Sequence, residues 1–180
     1  MSVAFFQRFF GVLALVALAG AVALVVARFV RARAPFAGAT SDRFGAHRLE
    51  AAWLVATVAT AGSLYFQSTG MVPCRLCWIQ RGFMYPLVIV LGVAMYRGAP
   101  RVRRFVIPWV LVGFAVSTYH YLLEWFPEQL ETNVCDVKVP CSEVQFRAFQ
   151  FVSLPFMAGC GFLFIASVLA LPLHDRSSSR

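Results

Sequence analysis

Five long stretches of this chain carry no acidic residue, lysine or arginine, and they alternate with short segments that hold the charges. The uncharged stretches are 9–27, 51–74, 82–96, 105–123 and 148–174. A helix needs roughly 20 mostly apolar residues to cross a hydrocarbon core of about 30 Å. Four stretches satisfy this length directly, and the 82–96 stretch does so when it is extended outward to Cys77, with Arg81 near the interface. The pattern predicts transmembrane helices at 9–30, 49–69, 77–96, 104–125 and 148–172.

The composition agrees with a membrane protein. Hydrophobic residues make up 60% of the 180 positions and charged residues 13%, and the mean hydropathy is +0.73. The net charge of +8 could suggest a nucleic-acid partner, but the arginines lie between apolar stretches, as loop arginines of membrane proteins do. We therefore predict an all-α membrane protein: a four-helix transmembrane bundle plus one additional N-terminal transmembrane helix.

The distribution of arginines predicts the orientation. Segment 28–48 contains five arginines, segment 97–104 contains four, and Arg176 and Arg180 lie in the tail. With five helices these segments all fall on one side, which the positive-inside rule makes cytoplasmic. We expect a multi-pass protein of the cell membrane whose cysteine pairs and most acidic residues are extracytoplasmic.

The first helix could instead be a cleaved signal peptide. Only Arg8 precedes it, whereas Arg28, Arg31 and Arg33 follow it closely, and this distribution opposes export of the following segment. We predict a retained helix with its N-terminus outside. The predicted units are an N-terminal transmembrane helix at 1–33, a cytoplasmic linker at 34–48, a four-helix core at 49–174 and a cytoplasmic tail at 175–180.

A CxxC motif lies at the predicted start of the third helix. Cys74 and Cys77 have the spacing of dithiols that open and close during redox chemistry. The N-terminus of a helix favours an anion, and therefore a reactive thiolate. Arg81 lies one turn deeper on the face of Cys77, where it could stabilise a thiolate or an anionic ligand. The alternative is an arginine that only extends to the membrane interface.

A second pair, Cys135 and Cys141, lies in a short polar loop before the last predicted helix. A disulfide across so small a ring would stabilise the loop by roughly 2–3 kcal/mol. It could be a permanent structural bridge, or it could open during turnover. Because it is expected on the same membrane face as the CxxC motif, the two pairs could exchange electrons.

Metal binding is the chemical alternative, because four cysteines can form a zinc site. The spacing of Cys135 and Cys141 is loose for such a site, and an oxidising compartment favours disulfides. Haem attachment would need histidine after Cys77, where the chain has Trp78. Cys160 lies between two glycines in an apolar stretch, which favours close helix packing over chemistry.

These residues resemble the DsbB family of quinone-linked disulfide-forming membrane proteins. The signature-like segment is Pro73-Cys74-Arg75-Leu76-Cys77-Trp78-Ile79-Gln80-Arg81. Three further segments resemble the Gram-positive-type BdbC branch: Met84-Tyr85-Pro86, Ser117-Thr118-Tyr119-His120-Tyr121 and Val139-Pro140-Cys141-Ser142. The resemblance covers about 49–172 and leaves out the first helix. Gln80 stands where the better-known branch tends to carry an acidic residue, and the second loop is shorter.

The resemblance implies a relay that makes disulfides and so supports protein folding. A reduced, extracytoplasmic thioredoxin-like thiol oxidase, similar to DsbA, would donate electrons to the Cys135/Cys141 bridge. The electrons would pass to Cys74/Cys77 and then, in membrane electron transport, to a quinone, either ubiquinone or menaquinone. By the same resemblance Cys77 contacts the quinone, Arg81 favours its charged bound form, and residues 49–174 are the thiol-quinone oxidoreductase core.

Helix direction places several other side chains level with Cys77 and Arg81. They are Tyr119, His120 and Glu124 on the fourth helix and Tyr65, Phe66 and Gln67 on the second. We expect a partly aromatic pocket that suits a flat ring with a lipid tail. His120 could donate a hydrogen bond or a proton to the reduced quinone. Alternatively, it is an interfacial histidine and the aromatic residues are the interfacial belt.

The sequence thus predicts a membrane protein-disulfide oxidoreductase that depends on quinone. Its catalytic residues would be Cys74, Cys77, Cys135 and Cys141, and its cofactor-binding residues Arg81 and His120. One alternative is a non-enzymatic, cysteine-based metal-binding membrane module. Another is a related oxidoreductase that passes reducing equivalents outward, since cysteine spacing does not determine the reduction potential.

Overall fold

The computed structural model describes residues 3–31, 47–130, 135 and 139–171. Five long helices run through them: α1 (Val3–Arg31), α2 (Arg48–Ser68), α3 (Arg75–Tyr96), α4 (Arg103–Trp125) and α5 (Leu154–Leu169). A 3₁₀ turn at Pro100–Val102 precedes α4, and one helical turn at Pro127–Leu130 follows it. The predicted tail at 175–180 and all of the predicted linker except 47–48 lie outside the described residues.

Four helices are long and apolar enough to cross a membrane: Val3–Val30, Arg48–Ser68, Arg75–Tyr96 and Arg103–Trp125. The fifth, α5, is equally apolar but has only 16 residues, which is about 24 Å at 1.5 Å per residue. The described residues contain no β-strand beyond a single bridge between Ala148 and Val152. The prediction of an all-α membrane protein is confirmed.

The start of the last helix differs from the prediction. We expected it at 148, but α5 begins at Leu154. Ala148 and Val152 pair through two backbone hydrogen bonds of 2.8 and 2.9 Å, and Phe149 and Gln150 between them have positive φ values of 52° and 68°. Left-handed residues cannot continue an α-helix, so this tight turn separates the apolar run into a turn and a helix.

The core is built around α5. Its buried residues Phe162 and Ile165 pack with Leu87 and Leu91 of α3 and with Val110 of α4. The contact with α4 is close: a Cβ at Gly113 would lie 2.7 Å from ring atoms of Phe162. Cys160 is buried in the same helix as a free thiol.

The first helix packs along α2 and α5. The ring of Phe10 fills the space beside Gly62, where a Cβ would lie 2.7 Å from it. Gly20 of α1 lies against the ring of Phe164, where an added Cβ would lie 3.1 Å from a ring atom. Glycines at two separate contacts let the backbones approach, as is common between membrane helices.

Arginines from three helices meet at the C-terminus of α5. Arg28 of α1 donates a hydrogen bond of 2.6 Å to the carbonyl of Ala170. Arg48 of α2 and Arg103 of α4 each donate one of 3.2 Å to the carbonyl of Leu171. These carbonyls directly follow α5, at the negative end of its dipole, so the three cations stabilise the end of the helix. We call this the arginine end of the bundle.

We expect Gly113→Ala to destabilise the protein by about 1–3 kcal/mol, because the fully buried ring of Phe162 has no space to move away from the new methyl group. Thermal unfolding of the purified protein in detergent measures the change. Gly82→Ala is the matched control: Gly82 is an exposed helical glycine with nothing within 4 Å of an added Cβ. The control should be neutral or stabilising by up to about 1 kcal/mol. Equal melting temperatures for the two variants would contradict this packing.

Candidate active site

The CxxC motif forms the first turn of α3, as predicted. Cys74 is the N-cap residue, with extended backbone, and its sulfur accepts a hydrogen bond of 3.3 Å from the backbone N–H of Cys77. The two sulfur atoms lie 2.9 Å apart. Cys74 is buried and Cys77 is half-buried. The helix start therefore holds the two thiols where a disulfide between them can form or open.

The surroundings of Cys74 favour its thiolate. The hydrogen bond from the Cys77 thiol lowers the pKa of Cys74 most strongly, burial opposes it, and the hydrogen bond from His120 lowers it further. The net effect lowers the pKa of Cys74 to about 4. A thiolate at neutral pH is the species that attacks disulfides, and a low pKa also makes a sulfur a better leaving group.

His120 of α4 contacts both cysteine pairs. Its ring is buried, and the amide N–H of Gln80 donates to Nδ1 at 2.9 Å. This assignment places the ring proton on Nε2, which lies 3.1 Å from the carbonyl oxygen of Cys141 and 3.6 Å from the sulfur of Cys74. One imidazole thus connects α3, α4 and the segment that carries the second pair.

The second pair is a disulfide between Cys135 and Cys141. Cys141 is almost fully buried, at 1% exposure, and shares a small apolar cluster with Cys74 and Leu123. Cys135 is half-buried at the edge of that cluster. The intervening residues 136–138 lie outside the described residues. Of the two sulfurs in the bridge, that of Cys135 belongs to the more exposed residue.

Arg81 is held by α2 rather than by the cysteines. Its guanidinium donates to the hydroxyl of Ser63 at 3.0 Å and to the side-chain oxygen of Gln67 at 2.6 Å, and it lies 5.2 Å from the ring centre of Trp78. Ser63 also accepts a hydrogen bond of 3.1 Å from the hydroxyl of Tyr85. These contacts fix a positive charge close to the first turns of α3.

A cavity of about 420 Å³ lies on the Cys77 side of α3. Its walls come from α1, α2, α3 and α5, and they are mostly apolar. One thiol and a few polar side chains interrupt them: Cys77, Ser63, Gln80, Arg81, Tyr85 and Gln145. Small-molecule sites typically enclose about 300–1,000 Å³ and have this kind of lining. A flat quinone ring with an apolar tail fits such a cavity, with Cys77 and Arg81 available to the ring.

The predicted pocket and the observed cavity share only part of their residues. Phe66, Cys77 and Arg81 line the cavity, but His120, Tyr119 and Glu124 of α4 do not. A contact between His120 and a cofactor stays a prediction, and in the structure the ring lies against Cys74 rather than in the cavity, held there by Gln80 and the backbone of Cys141. The reason is that α4 packs against a different side of α3 from the one that borders the cavity.

Several site residues were not predicted from the sequence. Gln80 was noticed only as a departure from the better-known branch, although its position three residues after Cys77 places it on the same helix face. Ser63 has no sequence signal, because a single hydroxyl in an apolar helix commonly bonds its own backbone. The α1 side chains in the cavity wall lie outside the segment that carries the resemblance.

The group of potential metal ligands in the structure differs from the four-thiolate alternative considered from the sequence. Within the described residues the grouped ligand atoms are those of Cys74, Cys77 and His120, all within 4.8 Å of one another. Cys135 and Cys141 are bonded to each other in this structure. The zinc arrangement considered from the sequence is therefore not assembled.

Comparison with known proteins gives one consistent family. The family model "Disulfide bond formation protein DsbB" matches residues 47–172. "Disulfide bond formation protein C" of Bacillus subtilis is 39% identical over 130 residues, which cover 72% of this chain and 94% of that protein. A "Probable disulfide formation protein" of Coxiella burnetii is 39% identical over 126 residues, which cover 69% of this chain and 86% of the relative.

No solved structure matches the chain significantly. The family match begins at residue 47, so α1 lies outside it, while both cysteine pairs and His120 lie inside. With its membrane-spanning helices, the chain belongs to the DsbB family of disulfide bond formation proteins.

Proposed function

We propose that this protein is a membrane thiol:quinone oxidoreductase that reoxidises a thioredoxin-like thiol oxidase. The observation that carries the proposal is a continuous series of contacts. The Cys135–Cys141 bridge is joined through His120 to Cys74, the sulfur of Cys74 lies 2.9 Å from that of Cys77, and Cys77 lines the apolar cavity. Electrons entering at the bridge therefore have a short path to the cavity.

Differences in burial suggest the order of thiol exchange. A thiolate of the reduced partner attacks the sulfur of Cys135, the more exposed end of the bridge, and forms a mixed disulfide. Cys141 is released as a thiolate inside the cluster that contains Cys74. The Cys141 thiolate then attacks Cys74 of an oxidised CxxC pair and releases the Cys77 thiolate toward the cavity.

The remaining steps restore the bridge. The second thiolate of the partner attacks its mixed disulfide and leaves with a new disulfide, which frees Cys135. The Cys135 thiolate then attacks Cys141 and displaces Cys74, whose lowered pKa makes it a good leaving group. The partner has lost two electrons, and Cys74 and Cys77 have gained them as a dithiol.

The cavity residues support the final transfer. A bound quinone would take up two electrons and two protons from the dithiol. Cys77 supplies the sulfur that faces the cavity, and Arg81, fixed by Ser63 and Gln67, supplies a positive charge for an oxygen that becomes negative. The apolar walls exclude water from this region.

We also propose that the cysteine pairs are extracytoplasmic. Arg28, Arg48 and Arg103 gather at the arginine end of the bundle, and the cysteine pairs lie at the opposite end, beyond the C-termini of α2 and α4. Under the positive-inside rule the arginine end is cytoplasmic. The cysteines would then face the oxidising compartment, where a reduced substrate protein requires a disulfide.

Replacing Cys77 with Ser should abolish quinone reduction, because no thiol would remain at the cavity wall. The test follows the absorbance of a decyl-tailed benzoquinone with purified protein and reduced thioredoxin-like partner. Cys160→Ser is the matched control, since Cys160 is a buried free thiol in the middle of α5. Quinone reduction that persists in Cys77→Ser would refute the proposal, and chelatable metal bound at Cys74, Cys77 and His120 would favour a metal module.

Replacing Cys135 or Cys141 with Ser should block oxidation of the protein partner and leave the CxxC pair able to react with small dithiols. Incubated with the partner in its disulfide form, Cys141→Ser should trap a mixed disulfide on a non-reducing gel, because the free Cys135 thiolate attacks the partner's disulfide, releases one partner thiolate and has no Cys141 thiol to displace the partner. Cys135→Ser should trap none, because Cys141 is almost fully buried. If both variants still oxidise the partner, the bridge is only structural.

Replacing His120 with Ala should shift the alkylation profile of Cys74 to higher pH. The imidazole stabilises the thiolate, so its removal raises the pKa of Cys74 and slows alkylation near pH 5. The rate is measured for reduced protein with iodoacetamide and mass spectrometry of the Cys74 peptide. His47→Ala, which changes an exposed histidine, is the control. If the midpoint of the pH dependence of Cys74 alkylation is unchanged in His120→Ala, His120 does not stabilise the thiolate.

A further inference from the structure

We infer that α1 is part of the quinone site and that the apolar tail of the quinone lies against it. This inference rests on the proposed function, because it concerns the ligand of the same cavity. Five residues of α1 line the cavity: Phe10, Leu13, Ala14, Val16 and Ala17. Four of them, at 10, 13, 14 and 17, have the spacing of a single helix face.

The position of α1 is defined by close contacts along its length. Near the start of α1, the ring centres of Phe6 and Tyr65 lie 4.3 Å apart, and the ring of Phe10 fills the space beside Gly62. Further along, Gly20 lies against Phe164. At its end, Arg28 bonds to the carbonyl of Ala170. Contacts at three depths hold α1 against the rest of the bundle along its length.

The cavity would have a different boundary without α1. The walls contributed by α2 and α5 include Leu54, Val58 and Phe164, which are apolar and would face the lipid tails directly. With α1 in place, this side of the cavity is covered by protein rather than by lipid. The family model matches residues 47–172, and the 130 residues aligned with the Bacillus subtilis relative cover 94% of that protein. The α1 wall is therefore an addition to the part of the chain that the family shares.

The chemistry of the wall indicates which part of the ligand it contacts. The α1 lining has no polar side chain, whereas the polar cavity residues Gln80 and Arg81 lie on α3 beside Cys77. A quinone ring needs the polar groups and the sulfur, so its hydrocarbon tail is left for α1. Ala14 and Ala17 are the small residues of this wall, and they set the width available to the tail.

Photolabelling tests this position without relying on turnover. The probe is a benzoquinone with a decyl tail that ends in a photoreactive diazirine, applied to the full chain in detergent. We expect the label within residues 10–17 by mass spectrometry, and we expect excess unlabelled decyl-benzoquinone to remove it. Specific labelling confined to other helices would overturn the inference.

Two substitutions test the width of the wall. Ala14→Phe and Ala17→Phe each place a ring in the cavity, so we expect the KM for the decyl-tailed quinone to rise by about tenfold, which corresponds to about 1.4 kcal/mol. Their kcat at saturating quinone and the exchange of the Cys135–Cys141 bridge with the partner should be unchanged. Ala19→Phe is the matched control, because Ala19 is exposed on α1 and does not line the cavity.

The outcomes separate the two proposals. Cys77-dependent quinone reduction in the wild type, with an unchanged KM in both cavity variants, would overturn the α1 inference and leave the proposed function standing. Absence of quinone reduction in the wild type would overturn both. If thermal unfolding shows that the phenylalanine variants do not fold, the photolabel on the wild-type protein still tests whether the quinone tail lies against α1.

Discussion

The buried imidazole of His120 is the contact on which the geometry of the cysteines depends. A buried polar ring is costly unless its nitrogens are hydrogen-bonded, and here Gln80 of α3 and the backbone of Cys141 satisfy it. These partners belong to different parts of the chain. The hydrogen bonds of the ring nitrogens therefore also fix α3, α4 and the disulfide segment relative to one another. Cys74 lies within the same set of contacts, so its reactivity and its position have a common cause.

The two thiols of the CxxC motif have different neighbours, and this separates two kinds of chemistry. Cys74 lies beside His120 and the disulfide segment, where sulfurs would exchange in the proposed reaction, whereas Cys77 lines the apolar cavity. The first turn of α3 brings them within 2.9 Å while their surroundings remain distinct. Thiol exchange favours a stabilised thiolate, and a lipid-tailed ligand favours a dry apolar wall. In the proposed reaction, the first turn of α3 would give each of the two thiols the surroundings that its step requires.

Local patterns in the sequence predict much of this arrangement. The uncharged runs give the helices, and Cys74 at a helix start with Cys77 facing deeper follows from spacing alone. The start of α5 could not be predicted this way, because the left-handed Phe149 and Gln150 interrupt an apolar run without glycine or a charge. The contacts of His120 could not be predicted either. The direction of the helix gives the depth of the His120 ring in the membrane, but it does not give the side of α3 that the ring contacts. That choice depends on how α4 packs in three dimensions.

The arginines at the end of α5 couple membrane insertion to the fold. In most membrane proteins a loop arginine can be moved with little effect on packing, because only its side of the bilayer matters. Here Arg28, Arg48 and Arg103 also supply hydrogen bonds to the final carbonyls of the most buried helix. Charge changes that would invert the protein in the bilayer would therefore also remove the cap of its central helix. Orientation in the bilayer and packing of the bundle would then depend on the same three side chains.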